Sequence, residues 1–265
     1  MLTKEGIHTM IANYHTHTTR CHHASGKEED FVLRAIENGL EIFGFSDHVP
    51  MPFPDGHQSG YRVFIEELED YVRTIEGLRE KYADRIRILL GFEAEYYPAL
   101  FEDMLNMLAP YDYDYLLLGQ HFIGNEDGGY SGAPTDNPAV LKQYVDQVIE
   151  GLSTGKFTYL THPDLLNFTG SDDVYEEHME RLCRACLAMD IPLEVNLLGV
   201  EDHRHYPCDR FFRIAGRVGN PVVIGCDAHH LHAVANPDIL AQGEEFCARH
   251  GLRILETVPL HNPKA

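Results

Sequence analysis

Histidine and carboxylate side chains recur in this sequence at points where short apolar runs end. The chain contains 17 histidines, and many of them share this placement. The residues placed in this way are His15, His17, His23, His48, Glu93, His121, His162, Asp227 and His229. Imidazole and carboxylate groups are suitable ligands for Zn²⁺, Mn²⁺ or Fe²⁺. The pattern therefore indicates a site that binds divalent metal ions and uses them for catalysis.

The spacing of the first histidine pair has a geometric meaning. In an extended strand, residues i and i+2 point to the same side, so His15 and His17 can bind one ion together. Asp227 and His229 repeat this spacing near the end of the chain. A single histidine after a strand is more often a hydrogen-bonded core or capping residue than a ligand. Nine ligand-type residues in equivalent positions are difficult to explain by chance, so we expect a site with more than one ion.

Other candidate ligands in the chain lack this placement. His8, His57, His178, His203, His205, His232, His250 and His261 are interpreted as surface or structural residues, with His205 also retained as a candidate substrate contact. The adjacent residues His22 and His23 both remain candidates for one ligand position. Cys183 and Cys186 form a CxxC pair inside a helical pattern without a second pair, which favours buried thiols over a redox or zinc motif.

Short apolar runs alternate with amphipathic stretches along the whole chain. The runs predict strands at residues 10–14, 42–46, 86–92, 113–118, 157–160, 193–196 and 222–225. The amphipathic stretches predict helices at 28–38, 63–82, 100–108, 139–153, 174–189, 209–217 and 238–250. A last apolar run at 252–255 is either an eighth strand or a cover for the sheet. The irregular stretch 122–137 is either a lid or substrate loop, or a mobile surface loop.

The alternation of strand and helix predicts an α/β fold with parallel strands and crossover helices. Either a barrel or an open doubly wound sheet satisfies this order. The first strand is not followed by a GxGxxG motif or a P-loop, which removes the commonest reason to prefer a nucleotide-binding open sheet. In a barrel, the carboxyl ends of all strands share one face, so the ligand-type residues would converge there. We expect one domain over residues 1–265.

The charge balance of the chain limits its partners. Asp and Glu number 42 against 21 Lys and Arg, for a net charge of −21. Such a surface repels the phosphates of nucleic acid and is compatible with a site that recruits cations. The sequence has no apolar run of 18 residues or more, so we expect no membrane span. Residues 1–14 lack a signal-peptide core, and we therefore expect a cytoplasmic protein.

Several candidate ligands lie within longer motifs. These are His15-Thr-His17-Thr with Cys21-His22-His23, Gly44-Phe-Ser-Asp-His48 with Pro50-Met-Pro-Phe53, Gly91-Phe-Glu93-Ala-Glu95-Tyr96, Leu118-Gly-Gln-His121-Phe and Gly225-Cys-Asp-Ala-His229. Their order and types resemble the motifs of the polymerase-and-histidinol-phosphatase superfamily over nearly the whole chain. Glu194-Val-Asn196 followed by Tyr206-Pro-Cys208 is similar to the histidinol-phosphatase branch of that superfamily.

The sequence departs from that branch at two places. The branch usually has an arginine just after an Asn-x-x-Gly element, whereas here the element ending at Gly199 is followed by Val200 and Glu201. Arg204 is the nearest arginine and is a candidate for the same phosphate contact. The stretch Thr161-His162-Pro163-Asp164 looks more like the broader superfamily. Both departures concern the substrate rather than the metal site.

The resemblance implies a distorted seven-stranded β/α barrel of the PHP type, similar to a TIM barrel, that holds two to three divalent ions (Zn, Mn or Fe). It places His15, His17, Glu93 and Asp227 on the first ion. His121 and His162, with Glu93 bridging, would hold a second, and His23, His48 and His229 a third. Asp47, His48 and His229 are the candidate catalytic residues, with Asp47 either orienting His48 or a nearby water, or serving a structural role. Candidate contacts for the cationic groups of an amino alcohol phosphate are Glu95 and Asp164, or the acidic stretch 122–137. Arg204 is the candidate phosphate contact, and His205 is a further candidate substrate contact.

The expected activity is hydrolysis of a small phosphate monoester, most of all L-histidinol phosphate. Alternatives are a phosphatase or phosphodiesterase acting on another small phosphate ester or nucleotide, and an amidohydrolase-type metal hydrolase. An amidohydrolase commonly has a modified lysine or a carboxylate at the fourth strand, where this chain has Gly119-Gln120-His121. A metal-binding regulatory protein without catalysis would lack part of the ligand set, and none is missing. The general acid and the oligomeric state remain open.

Overall fold

A computed structural model of the protein describes residues 10–261 and 263–264, so His8 lies outside the described residues. Its first sheet has four parallel strands in the order β1-β2-β3-β4: β1 (Ala12–Asn13), β2 (Ile42–His48), β3 (Arg87–Ala94) and β4 (Tyr115–Leu118). The second has three parallel strands in the order β5-β6-β7: β5 (Leu193–Asn196), β6 (Pro221–Gly225) and β7 (Arg253–Ile254). The longest ladder, between β2 and β3, places His48 beside Glu93 at its carboxyl end. The result is an α/β fold with a curled, parallel half-barrel sheet.

Isolated bridges link the two sheets. Leu160 pairs in parallel with Leu118 of β4 and with Leu193 of β5, and Thr16 pairs in parallel with Ala228. The predicted strand at 157–160 is therefore wrong as a regular element, since it pairs with each neighbour through one bridge. It nevertheless lies between β4 and β5, where the sequence order placed it.

Eight α-helices are described, and seven of them lie at predicted positions. They are α1 (Glu28–Glu37), α2 (Leu68–Lys81), α3 (Phe101–Leu108), α4 (Pro138–Leu152), α5 (Asp172–Ala188), α6 (Leu197–Glu201), α7 (Asp209–Val218) and α8 (Pro237–Arg249). Proline at the first position and an asparagine N-cap begin both α4 and α8. The five-residue helix α6 is absent from the prediction because it is too short to show a helical period. None of the helices in the described part of the chain is long and apolar enough to cross a membrane.

Helix α2 begins later than predicted. A 3₁₀ turn at Ile65–Glu67 precedes it, and the Glu67 carboxylate accepts a hydrogen bond from the backbone N–H of Phe64 at 3.2 Å. On α5, Cys183 and Cys186 are buried free thiols, as predicted. Within the apolar run at 252–255, Arg253–Ile254 form β7, and Leu255 packs against the inner core.

The core has two parts, one on each side of the curled sheet. The larger part fills the space between strands and helices. The smaller part lies inside the curl and contains Ala12, Tyr14, Leu89, Tyr115, Leu117, Tyr159, Val223 and Val258, with Leu255 and Leu260 packed against it. The chain after β7 therefore also covers the amino-terminal end of this inner core. The inner core is thus an apolar layer beneath the carboxyl ends of the strands.

Tyr115 is the member of the inner core that links the first two strands. Its side chain is fully buried, and its hydroxyl donates to the carbonyl oxygens of Tyr14 and Phe45, 2.6 and 3.0 Å away. A Cβ on Gly44 or on Gly91 would lie within about 2.5 Å of atoms of this tyrosine. The two glycines thus make room for one large side chain, and an added methyl group has no free volume to enter.

We predict opposite effects from the same substitution at two glycines. Gly91→Ala should lower the free energy of unfolding by about 1–3 kcal/mol, because the new methyl group would overlap the Tyr115 ring. Gly77→Ala, on the exposed face of α2 with nothing within 4 Å of the new Cβ, should raise it by about 0.5–1 kcal/mol. Urea unfolding of both variants beside the wild type measures the difference. An equal effect at the two positions would contradict this account of the inner core.

Candidate metal centre and substrate pocket

Glu93 lies at the centre of a cluster of imidazoles above the inner core. It projects from β3 and is 1% exposed. Five histidines place a ring nitrogen within 3.6 Å of one of its carboxylate oxygens: His162 (2.8 Å), His48 (3.1 Å), His15 (3.3 Å), His17 (3.5 Å) and His121 (3.6 Å). The carboxylate has room because the facing residue is Gly119, whose Cβ would lie 1.9 Å from Oε1 of Glu93. Glu93 is therefore positioned to contact several ligand groups at once.

Asp227 approaches the same imidazoles from the second sheet. Its Oδ1 atom lies 3.1 Å from Nε2 of His17 and 3.4 Å from Nε2 of His15. The residue has a φ of +47°, in the left-handed region that aspartate adopts more readily than most residues other than glycine. Asn196 donates to its second oxygen at 3.1 Å. The two sheets thus contribute one carboxylate each to a shared group of ligands.

His23 and His229 form the outer part of the cluster. Their Nε2 atoms lie 2.9 Å apart, and the ring of His229 stacks on that of His17 with centroids 4.2 Å apart. His22 points elsewhere: its ring packs on Phe64 at 4.1 Å. Of the two adjacent candidates, the structure brings only His23 to the cluster.

A carboxylate that the sequence analysis left without a role orients His15. Glu194 on β5 lies 2.8 Å from Nδ1 of His15, which leaves Nε2 facing Glu93 and Asp227. It also accepts hydrogen bonds from the backbone N–H of His162 at 3.0 Å and from Asn196 at 2.8 Å. The available signal was the i, i+2 spacing of two polar residues, Glu194 and Asn196, at the carboxyl end of an apolar run.

Asp47 has a different neighbour from the one predicted. Its carboxylate accepts hydrogen bonds from the backbone N–H of Thr18 at 3.1 Å and from the Thr18 hydroxyl, and lies 3.5 Å from Nδ1 of His17. It is fully buried and does not line the pocket. Asp47 thus contacts His17 rather than His48, because it leaves the strand on the side opposite to His48, and its contacts agree with the structural role that the sequence left open.

Several buried polar atoms of the cluster lack a hydrogen-bond partner, which makes them suitable ligands for divalent cations. Nε2 of His15, Nε2 of His17 and Oδ1 of Asp227 are buried without a hydrogen-bond partner. Unpaired buried polar atoms are costly and usually have a missing partner such as water or an ion. Groups whose ligand atoms lie within 4.8 Å of one another include His15 with His17 and Glu93, His15 with His162 and Asp227, and His17 with His48 and His229. These groups could hold metal ions.

The two buried carboxylates of the cluster, Glu93 and Asp227, also need positive charge nearby to balance them. Burial favours the neutral form of Glu93 and Asp227, yet the surrounding imidazoles hold the pKa of both carboxyls well below its usual range. For His17, the effect of burial is outweighed by the nearby carboxylates of Asp227 and Asp47, which raise its pKa to about 9. In contrast, burial and the nearby His17 lower the pKa of His229 to about 3, so this imidazole is neutral and has a free lone pair at neutral pH. Protons or cations can balance the two carboxylates.

A cavity of about 410 Å³ opens above the cluster. Its floor is formed by members of the cluster: His23, His48, Glu93, His121, His162, Asp227 and His229. Its walls are formed by Tyr61, Phe122, Leu165, Leu198, Tyr130, Tyr206, Glu201, Asp202, Arg204, His230, His232 and Ala233, together with Gly60. This size and the combination of an aromatic wall with a few charged groups suit a small polar ligand.

Three of the four predicted substrate contacts do not line this cavity. Glu95 is buried, ion-paired with Arg62 and 2.9 Å from Nδ1 of His121. Asp164 is buried and accepts from the backbone N–H of Cys208 at 2.6 Å. His205 donates toward the carbonyl of Leu165 at 2.7 Å and lines a separate surface cavity. In this structure each of the three side chains is held by other protein groups and none of them faces the cavity.

Arg204 is the predicted contact that does line the cavity. Its guanidinium donates to Asp202 at 2.8 Å and to the hydroxyl of Tyr206 at 2.8 Å. His232, interpreted from the sequence as a surface residue, also lies at the cavity wall, where it is 3.1 Å from Glu201. The aromatic wall and α6 were not predicted, because their residues come together only through the fold.

Comparison with known proteins identifies the family. A family profile described as "PHP domain" matches residues 13–198. The chain belongs to this family. A Deinococcus radiodurans protein named probable histidinol-phosphatase is 28% identical over 239 residues, which cover 83% of this chain and 87% of that protein. A Shewanella protein (strain MR-4) named probable phosphatase is 25% identical over 221 residues, covering 81% and 75% of the two chains.

A solved PHP-type structure shows the same fold. Histidinol phosphate phosphatase from Lactococcus lactis, in complex with zinc, L-histidinol and phosphate, superposes with a TM-score of 0.71 at 17% identity. The match covers 94% of this chain and 99% of the other. Because the identity is low, this likeness establishes the fold alone.

We predict that Glu194→Gln lowers the affinity for divalent metal by about 10–100-fold, as is typical when the partner of a ligating histidine is changed. The amide keeps the shape of the side chain, but it no longer carries the charge that orients His15 and its tautomer. Competition with a metal chelator measures the affinity. Glu180→Gln, on the surface of α5 beside Arg184, is the matched control and should bind metal as the wild type does. Equal affinities in all three proteins would contradict this role of Glu194.

Proposed function

We propose that this protein is a metal-dependent phosphatase for a small phosphate monoester, L-histidinol phosphate. The observation that carries the proposal is the position of Glu93, buried among five imidazoles at the floor of a cavity of about 410 Å³. Membership of the PHP family and the names of the relatives, probable histidinol-phosphatase and probable phosphatase, support the reaction class.

We assign the ligands to three ions. His15, His17, Glu93 and Asp227 would hold the first; His121 and His162, with Glu93 bridging, the second; and His23, His48 and His229 the third. The short distances from Glu93 to the imidazoles proposed for the first two ions, and the close approach of His23 to His229, support this division. Bound divalent ions would supply positive charge for the phosphoryl oxygens and lower the pKa of water, which provides the nucleophile.

The protein's own residues would prepare this site for the phosphate ester. Glu194 fixes the ring of His15, and Asp47 lies against Nδ1 of His17, so both histidines present Nε2 to the cavity floor. The neutral imidazoles His48 and His229 are the candidate catalytic residues that reach the cavity. Burial lowers the pKa of both, so each carries a lone pair at neutral pH. Exclusion of bulk water by the aromatic wall strengthens the electrostatic interactions at the floor.

Arg204 is the proposed phosphate contact in place of the arginine usual in the histidinol-phosphatase branch. Its guanidinium lines the cavity and is held by Asp202 and Tyr206. For the cationic end of the substrate, Glu201 and Asp202 are the cavity-lining carboxylates outside the metal cluster. The Lactococcus lactis phosphatase, described in complex with L-histidinol and phosphate, supports a substrate of this kind.

The two sheets are proposed to be parts of one distorted seven-stranded β/α barrel. Leu160 bridges to both β4 and β5, and Thr16 bridges to Ala228. These bridges connect the two sheets at both of their edges, which supports a closed barrel. In such a barrel the active site lies at the carboxyl ends of the strands, which is where all nine proposed ligands are found.

The decisive experiment is a substrate comparison after metal reconstitution. The protein, loaded with Mn²⁺ or Zn²⁺, should hydrolyse L-histidinol phosphate with a kcat/KM at least about 10-fold above that for sugar phosphates, nucleotides and an aryl phosphate. Release of inorganic phosphate measures the rates. A clear preference for another monoester, or for a diester, would refute the assignment of L-histidinol phosphate as the substrate but would leave the metal-site assignment intact. No hydrolysis of any ester would refute the phosphatase.

We predict two to three metal ions per wild-type chain and a severe effect of Glu93→Gln. This variant should lose metal and reduce kcat/KM by at least about 100-fold, because Glu93 lies within 3.6 Å of a proposed ligand of each ion. Glu95→Gln should be milder, since Glu95 touches the site through His121. Elemental analysis and phosphate release measure the two effects. Full activity of the Glu93 variant, or a metal content near zero in the loaded wild type, would overturn the ligand assignment.

A further inference from the structure

Arg62 is a fully charged side chain in the interior, next to the cavity. It is 1% exposed and belongs to the largest fully buried side chains. Its guanidinium lies between two carboxylates: Nη1 is 2.5 Å from Glu95, and Nε donates to Glu126 at 2.5 Å. It also donates to the carbonyl of Val49 at 3.3 Å and to the hydroxyl of Tyr97 at 3.2 Å. A buried charge needs partners of this kind, and removal of Arg62 would leave two buried carboxylates without their cation.

The two carboxylates belong to different parts of the site. Glu95 follows β3 and lies 2.9 Å from Nδ1 of His121, whose Nε2 faces Glu93. Glu126 belongs to residues 122–137, here called the pocket loop. Two residues of this loop, Phe122 and Tyr130, line the cavity and pair as an antiparallel bridge. Arg62 therefore connects a proposed metal ligand on one side with the pocket loop on the other.

Tyr61 reinforces this connection. Its hydroxyl accepts from Arg62 at 2.5 Å and lies 3.2 Å from Glu95 and 3.0 Å from Glu126. Its ring stacks on Phe122 with centroids 5.7 Å apart and also lines the cavity. The network that fixes the tip of the pocket loop therefore also fixes part of the aromatic wall.

The base of the pocket loop has separate anchors. The backbone N–H of Gly124 donates to Gln147 on α4 at 2.8 Å, and Ser131 donates its N–H to the carbonyl of His121 at 2.8 Å. The tip differs, because Glu126 reaches inward to Arg62 and Tyr61, with the exposed His57 at 3.3 Å as its third contact. Loosening the contact with Arg62 should free the tip and leave the base in place.

We propose that Arg62 is a positioning residue that couples the order of the pocket loop to the orientation of His121. It acts through Glu126 on the loop and through Glu95 on the imidazole. The planar guanidinium can contact both carboxylates and both tyrosine hydroxyls at fixed angles, which an ammonium group cannot do. The kinetic part of this proposal rests on the proposed phosphatase activity, whereas the structural part does not.

The test compares Arg62→Lys with Glu126→Gln in the full-length protein. Arg62→Lys keeps the buried positive charge but replaces the planar guanidinium with an ammonium group. The contacts with Glu95 and with Glu126 should therefore both weaken. Glu126→Gln removes the connection to the loop alone. Amide hydrogen exchange of residues 123–130, retention of Mn²⁺ against a chelator, and KM and kcat for the best phosphate ester are measured for each. Arg79→Lys is the matched control, because Arg79 pairs with Asp114 at the opposite end of the strands.

Both variants should exchange the loop-tip amides at least about 10-fold faster and raise KM by about 10-fold. Mn²⁺ retention should fall by about 10-fold in Arg62→Lys and stay at the wild-type level in Glu126→Gln. The control should match the wild type in all three measurements. Unchanged loop exchange in either variant, or unchanged metal retention in Arg62→Lys, would overturn the coupling. A wild type inactive on every ester would refute the phosphatase, and exchange and metal retention would still decide the coupling.

Discussion

The structure depends on keeping one carboxylate ionised deep inside the protein. Glu93 has almost no contact with solvent, and a bare charge at that depth would be prohibitively costly. Imidazoles on the ends of neighbouring strands surround it and stabilise its charge. Asp227 presents the same problem from the second sheet, and it shares His15 and His17 with Glu93. The carboxyl ends of the strands must therefore lie at the same level, and the curl of the sheet brings their side chains together around the two carboxylates.

The surrounding layers serve that arrangement. Below the carboxylates, tyrosine and leucine side chains fill the curl and exclude water, with glycines opposite the bulkiest groups. Around them, Glu194 and Asp47 hold individual rings by the nitrogen that faces away from the centre. Above them, the aromatic wall and α6 enclose a space of small-molecule size. Each layer restricts the next, so the cluster is held by packing as well as by its own charges.

The sequence was sufficient for the alternation of parallel strands with seven of the eight described helices, and for the residues that converge. Strand ends bearing His15, His17, Glu93, His121 and Asp227 share one face whenever parallel strands curl, so their meeting follows from the alternation of strand and helix. Side-chain direction was harder to predict. Asp164 lies two residues after a proposed ligand yet turns to a backbone N–H that is 44 residues away in sequence. Likewise, Tyr61 and Phe122 stack only because separate loops meet, and α6 has too few residues to show a period.

The few bridges that join the two sheets affect how stable the protein is in a cell. Leu160, Thr16 and Ala228 join the sheets through single bridges, while the proposed ligands come from both sides. Ions held between the two sheets would bind the folded chain in preference to the unfolded one, adding about 2.7 kcal/mol when free metal is 100 times the dissociation constant. Metal scarcity would then act on abundance as well as on turnover, because the emptied chain opens more often and is exposed to proteases.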